Sequence, residues 1–152
     1  LLINTLAWAQ ESVSAKAMSM LADKAIVSRL TYMDQDILNL ILLGKVKFID
    51  AKYNTQFSLN YELKKSFVCP INDETVLIHY VGPTKPWHYW AGYPSAQPFI
   101  KAKEASPWKN EPLMRPVNSN YARYCAKHNF IQNKPINGIM NYIYYFYLKI
   151  IK

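Results

Sequence analysis

Residues 75–88 read Thr75-Val76-Leu77-Ile78-His79-Tyr80-Val81-Gly82-Pro83-Thr84-Lys85-Pro86-Trp87-His88. The first seven form a β-branched, nearly continuous apolar run, the pattern of a central strand covered on both faces. Gly82-Pro83 ends it abruptly. In open α/β sheets ligands bind beyond the carboxyl ends of the strands, so the residues after the run form a candidate site. Imidazole at that edge can bind a divalent metal. Gly82 lets backbone come close to a ligand, and Lys85 supplies a point charge for phosphate. The plainer reading of His79 alone is a hydrogen-bonded core residue.

Working outward, the first half alternates helix and strand signals. Leu1-Leu2-Ile3 reads as the end of a buried strand. Ser12 is placed to cap a helix running to about Lys24, with Ala15, Met18, Leu21 and Ala22 on one face. Asp34 is placed to cap a second helix, Gln35 to Leu43, and Gly44 fits its stop. Lys45 to Asp50 alternates polar and apolar, as a half-buried strand does. This order predicts an α/β layer. From Pro83 through Pro116 the chain is rich in Pro, Trp, Tyr and Lys and predicts short helices joined by turns, and the second half as a whole reads as a smaller, mostly helical appendage. Residues 142–152, YIYYFYLKIIK, form an aromatic tail ending in lysine.

Composition narrows the function classes. The chain has 152 residues, 51% hydrophobic and 18% charged, a balance that fills a core and excludes a disordered chain. No apolar run reaches the roughly 18 residues of a membrane-spanning helix. The net charge is +8. Residues 1–79 carry eight basic and eight acidic side chains, and residues 80–152 carry ten and two. The whole excess lies in the second half, which points to an anionic partner or to a solvated basic face. Nucleic-acid motifs are missing. Cys69 and Cys125 form no CxxC pair, and Cys125 with His128 is too small a set for structural zinc. Two reduced thiols are expected.

Two further stretches carry chemistry. Tyr32-Met33-Asp34-Gln35-Asp36 sets two carboxylates around an amide at a helix start, where unpaired N–H groups favour ionised acids. A cap plus a first-turn acid is the plainer reading. Residues 53–61, Tyr53 to Tyr61, mix rings, hydroxyls and amides, as sugar sites do, or as a polar loop with two packed tyrosines does.

MDQDILN, KFIDAKYNTQFSLNYE and HYVGPTKPWH, in this order and at these separations, resemble family 8 glycosyltransferases. The likeness is strongest to bacterial lipopolysaccharide core glucosyl- and galactosyltransferases. PFIKAKEASPW, RYCAKH and the aromatic tail resemble that family's C-terminal extension. The resemblance implies a partial GT-A-like α/β fold, with residues 1–95 as the C-terminal part of the catalytic domain. Residues 96–152 then form a basic, aromatic, mostly helical extension. It also implies retaining transfer of glucose or galactose from a UDP-sugar to the core oligosaccharide, with Mn²⁺ or Mg²⁺.

By position, His79 matches a metal ligand. Gly82 and Lys85 match residues holding the donor diphosphate. Asp34 and Gln35 match groups beside the donor sugar and the reacting carbon, and Tyr32 and Pro83 match positions near the acceptor. Gln35 would support an oxocarbenium-like carbon, or the acceptor would attack from the same face; two-step displacement would need a nucleophile near that carbon. The family's DxD metal motif precedes the stretch that Leu1 begins, so the chain is expected to be the later part of the enzyme and inactive alone. The expected setting is cytoplasmic and peripheral to the inner membrane, with Tyr121–Lys152 on anionic lipid. The rival readings are a non-catalytic basic fragment that binds a membrane surface and the remnant of a truncated gene.

Overall fold

A computed structural model describes residues 2–151. They form two compact units, Leu1–Ile49 and Asp50–Lys152.

The first unit is helical. Helix α1 (Thr5–Gln10) begins at Asn4, whose Oδ1 accepts from the Ala7 N–H at 3.1 Å, which satisfies one of the unpaired amides of a helix start. Helix α2 (Val13–Ala22) follows Ser12, helix α3 (Lys24–Val27) is capped by Asp23, and helix α4 is Met33–Ile41. Val13 and Ile37 are the buried apolar side chains of this unit.

Several expectations need correction here. Leu1 lies outside the described residues; Leu2 and Ile3 belong to no strand and are exposed. Ser12 precedes α2 but sits at φ +51° and makes no capping bond. The covered face of α2 is Val13, Ala17 and Met20, while Ala15, Met18, Leu21 and Ala22 are exposed. Both sets have helical spacing, and the neighbouring helices decide which is covered. Helix α4 starts two residues earlier than expected, with Tyr32 as N-cap; Asp34 is in its first turn, and it is Asp36 whose carboxylate accepts the Thr31 and Tyr32 N–H groups. Residues 45–50 have no ladder partner among the described residues and are exposed, Phe48 at 92%. Alternation alone does not bury a strand that pairs with nothing. Gly44, at φ +75°, ends the turn after α4 as expected.

The second unit holds the sheet. A 3₁₀ turn, Ala51–Asn54, leads into β1 (Thr55–Phe57), and a second turn, Leu59–Leu63, leaves it. Strand β2 (Ile78–Tyr80) pairs with β1 in parallel, Thr55 opposite Ile78, Gln56 opposite His79 and Phe57 opposite Tyr80. The long link between them is what parallel pairing requires. The run from Thr75 to Val81 is thus strand only from Ile78 to Tyr80. With β1 as its one neighbour among the described residues, β2 is an edge, and Val76 and Leu77 remain 63% and 52% exposed. The α/β expectation holds as mixed helix with a small parallel sheet.

Phe57, Leu59, Ala91, Tyr93 and Ala96 form the core, with Ile71 and Tyr80 packed on it. A 3₁₀ turn (Pro94–Ala96) and α5 (Gln97–Glu104) follow. Helices α6 (Ser119–Ile131) and α7 (Pro135–Ile150) pack together, so the expected helical second half is present. A Cβ at Gly138 would stand 2.7 Å from the Phe130 ring, so this position lets the two helices approach. Cys69 is exposed, Cys125 is buried, and neither is in a disulfide. No helix of the described residues is long and apolar enough to cross a membrane.

Candidate functional site

The site is the turn that leaves β2. His79 stands on the strand with an exposed side chain, so it is not a core histidine. Its Nδ1 lies 3.2 Å from Asn54 Oδ1. An amide oxygen there takes the ring N–H and leaves Nε2 as a free lone pair, the arrangement that orients a ligating imidazole. The donor set stops there: among the described residues no three His, Cys, Asp or Glu groups lie together. Among the described residues His79 offers one ligand, too few to hold a metal ion by itself.

Gly82 turns the chain at φ +80°. A Cβ there would meet Ser58 Oγ at 2.8 Å, so both backbone hand and space call for glycine. The chain then folds back on itself. Lys85 Nζ donates to the Tyr80 carbonyl at 2.6 Å. The Lys85 N–H donates to His88 Nδ1 at 3.1 Å, and the His88 N–H donates to the Lys85 carbonyl at 3.0 Å. The half-buried ammonium is thus held at the Tyr80 carbonyl, two residues before Gly82, while the Lys85 backbone is closed onto His88.

Two buried imidazoles support this loop. His88 packs against Trp90 with ring centroids 4.2 Å apart and against Tyr121 at 4.9 Å. Because its Nδ1 accepts an amide N–H, its proton is on Nε2, which has no hydrogen-bond partner among the described residues. Burial, helped by the Lys85 charge, lowers its pKa to about 4. His128, on α6, is fully buried. Its Nε2 lies 3.2 Å from Asn60 Oδ1, which only accepts, so Nε2 carries the proton; Thr84 Oγ1 shares it at 3.1 Å. Nδ1 accepts from Tyr93 Oη at 2.7 Å. Burial, with the charges of His88 and Lys127, lowers this pKa to about 4 as well. Both rings are neutral near pH 7. Burial also raises the Tyr93 hydroxyl above its usual range.

Tyr32, Asp34 and Gln35 lie in the first unit, at the start of α4, all exposed. Asp36 Oδ2 accepts the Thr31 and Tyr32 N–H groups, each at 2.8 Å, so Asp36 has a capping role while the Asp34 and Gln35 side chains face solvent. His79, Gly82, Pro83 and Lys85 are brought together on one strand and turn of the second unit. The mixed stretch 53–61 divides: Phe57 and Leu59 belong to the core, Asn60 is held by His128, and Asn54, Thr55 and Gln56 line an open cleft of about 330 Å³. Sequence reading missed Thr84, Asn60, Tyr93 and His128 as one cluster. The RYCAKH element showed a histidine, but no local spacing ties it to Thr84, 44 positions away.

Residues 1–91 match the family model described as Glycosyl transferase family 8, and residues 93–149 match Glycosyl transferase family 8 C-terminal. The chain belongs to glycosyl transferase family 8. This family 8 chain is 54% identical over 151 residues to the lipopolysaccharide glucosyltransferase WaaO of Escherichia coli K12, covering 99% of the chain and 44% of that protein. It is 51% identical over 152 residues to the lipopolysaccharide 1,3-galactosyltransferase of Salmonella typhimurium, covering 100% and 45%. A lipopolysaccharide 1,2-glucosyltransferase of Escherichia coli is 37% identical over 151 residues, covering 97% and 44%. The chain spans less than half the length of these curated relatives. No solved structure matches it significantly.

Proposed function

We propose that this family 8 chain is the donor-phosphate and C-terminal part of a retaining hexosyltransferase with a GT-A-like fold. Its reaction moves glucose or galactose from a UDP-sugar to the lipopolysaccharide core. The observation that carries the reading is the Gly82–Lys85 turn at the end of β2, where a glycine at φ +80° and a held ammonium lie together. Breaking the bond between the hexose and UDP leaves negative charge on the β-phosphate. A preorganised ammonium and a close backbone stabilise that charge without reorganising as it forms. Removal of one such contact costs about 3 kcal/mol, or roughly 10²-fold in rate.

In this reading Gly82 and Lys85 hold the diphosphate, Asp34 and Gln35 attend the donor sugar and reacting carbon, and Tyr32 and Pro83 face the acceptor. His79 contributes one ligand to a Mn²⁺ or Mg²⁺ ion whose remaining ligands are not among the described residues. Residues 1–95 belong to the catalytic domain and 96–152 to the extension. A cytoplasmic, peripheral position at an anionic inner-membrane surface fits the basic second half and the exposed Ile139, Ile143 and Phe146 of α7. The full-length protein incubated with UDP-glucose or UDP-galactose and core acceptor should release UDP and transfer one hexose with its anomeric configuration kept. Consumption of neither donor would overturn the reading.

A further inference from the structure

The second compact unit does not stop where one family model ends and the next begins, between residues 91 and 93. One buried side chain of the later segment reaches into the donor turn. His128 of α6 meets Thr84 Oγ1, and Thr84 lies between Pro83 and Lys85. Thr84 is fully buried, as is His128. The same imidazole holds Asn60 from the turn after β1 and Tyr93 ahead of α5. Asn60 adjoins Leu59 of the core, and Ser58 is the residue whose hydroxyl stands against Gly82. The two sides of the donor turn are therefore tied to one ring.

The alternatives for such a cluster are few. Most fully buried polar groups are hydrogen-bonded, and a purely structural pair needs no particular place in the fold. This pair sits one residue from the ammonium that the proposed function assigns to the diphosphate. Thr84 itself has its side chain directed into the protein and its backbone in the turn, so its hydroxyl fixes the turn without facing a ligand.

We propose that His128, acting through Thr84, is a positioning residue for donor binding: the C-terminal segment sets the Gly82–Lys85 turn in the geometry that receives a nucleotide diphosphate. The inference rests on the reading of Gly82 and Lys85 given above. Thr84→Val removes the hydroxyl at nearly constant volume and leaves His128 bonded to Asn60 and Tyr93, so the chain still folds. A misplacement of a binding group by a fraction of an ångström to an ångström costs on the order of 10- to 100-fold.

The test measures UDP affinity by calorimetry and steady-state kinetics with UDP-hexose in the full-length protein. Wild type, Thr84→Val, Thr84→Ser, His128→Leu, the Thr84→Val/His128→Leu double variant and Lys85→Ala are compared. The expected result is UDP affinity weakened about tenfold in Thr84→Val, with donor KM raised in step. Acceptor KM should stay within about twofold and the melting temperature within a few degrees, and Thr84→Ser should restore donor KM. Where His128→Leu folds, adding Thr84→Val to it should weaken UDP affinity little further, because the contact shared by the two residues is already gone. Unchanged UDP affinity in Thr84→Val beside a weakened Lys85→Ala overturns this inference alone. Donor and acceptor parameters that fall together with folded fraction also overturn it. A wild-type protein that does not bind UDP overturns both this inference and the function it rests on.

Discussion

His88 and Lys85 hold each other twice: the Lys85 N–H donates to His88 Nδ1 at 3.1 Å, and the His88 N–H donates to the Lys85 carbonyl at 3.0 Å. The side-chain bond sets the direction of the turn, and the buried ring against Trp90 makes it rigid. Replacing the ring by an aliphatic group keeps the volume near its value but orphans the Lys85 amide. His88→Leu should cost about 1–3 kcal/mol in unfolding free energy, read by denaturant titration. His88→Asn, which can still accept from the Lys85 amide, should recover part of the loss in spite of its smaller volume. A His88→Leu protein as stable as wild type would show that the ring does not hold the turn.

Gly82 combines a positive φ with a close neighbour. Gly82→Ala should destabilise by about 1–3 kcal/mol, the left-handed backbone accounting for roughly 1–2 of it. Pairing it with Ser58→Gly removes the atom that the new methyl would meet and should return part of the loss, leaving the backbone term. Equal stability losses in the single and double variants would mean that space at Ser58 plays no part.

The two buried imidazoles make stability pH-dependent. Both folded-state pKa values lie near 4, below the unfolded value of about 6.5. Between these limits the unfolded chain binds protons that the folded chain refuses. Stability is therefore full above about pH 6.5 and falls as the solution is acidified towards pH 4. The slope approaches about 1.4 kcal/mol per pH unit for each ring. Urea titrations at pH 7, 5.5 and 4.5 should show the fall, and a folded His128→Gln variant should show a shallower one. A flat profile down to pH 4.5 would contradict neutral, buried rings at both positions.

The turn was legible because its chemistry is local. A glycine after a strand, followed within three residues by lysine, says where backbone can reverse and where charge can sit, and Gly44 was readable for the same reason. Burial was legible only in part, since it depends on neighbours that a local pattern does not contain. The run at 75–81 reads as a strand covered on both faces, yet β2 has one partner among the described residues and Val76 and Leu77 stay open. In α2 the phase of the covered stripe slipped, to Val13, Ala17 and Met20, because two apolar stripes compete on one helix. The His128–Thr84 contact spans 44 positions and has no period, so it becomes visible only in the fold.

Lys85, on the turn after β2, is the group proposed to receive the phosphates of a nucleotide. The most direct measurement compares the binding of UDP and of uridine to the full-length protein and its Lys85→Ala variant by calorimetry. UDP affinity should fall about tenfold or more, with uridine affinity unchanged, because only UDP carries the phosphates proposed to meet the ammonium. Equal UDP affinity in the two proteins would contradict it.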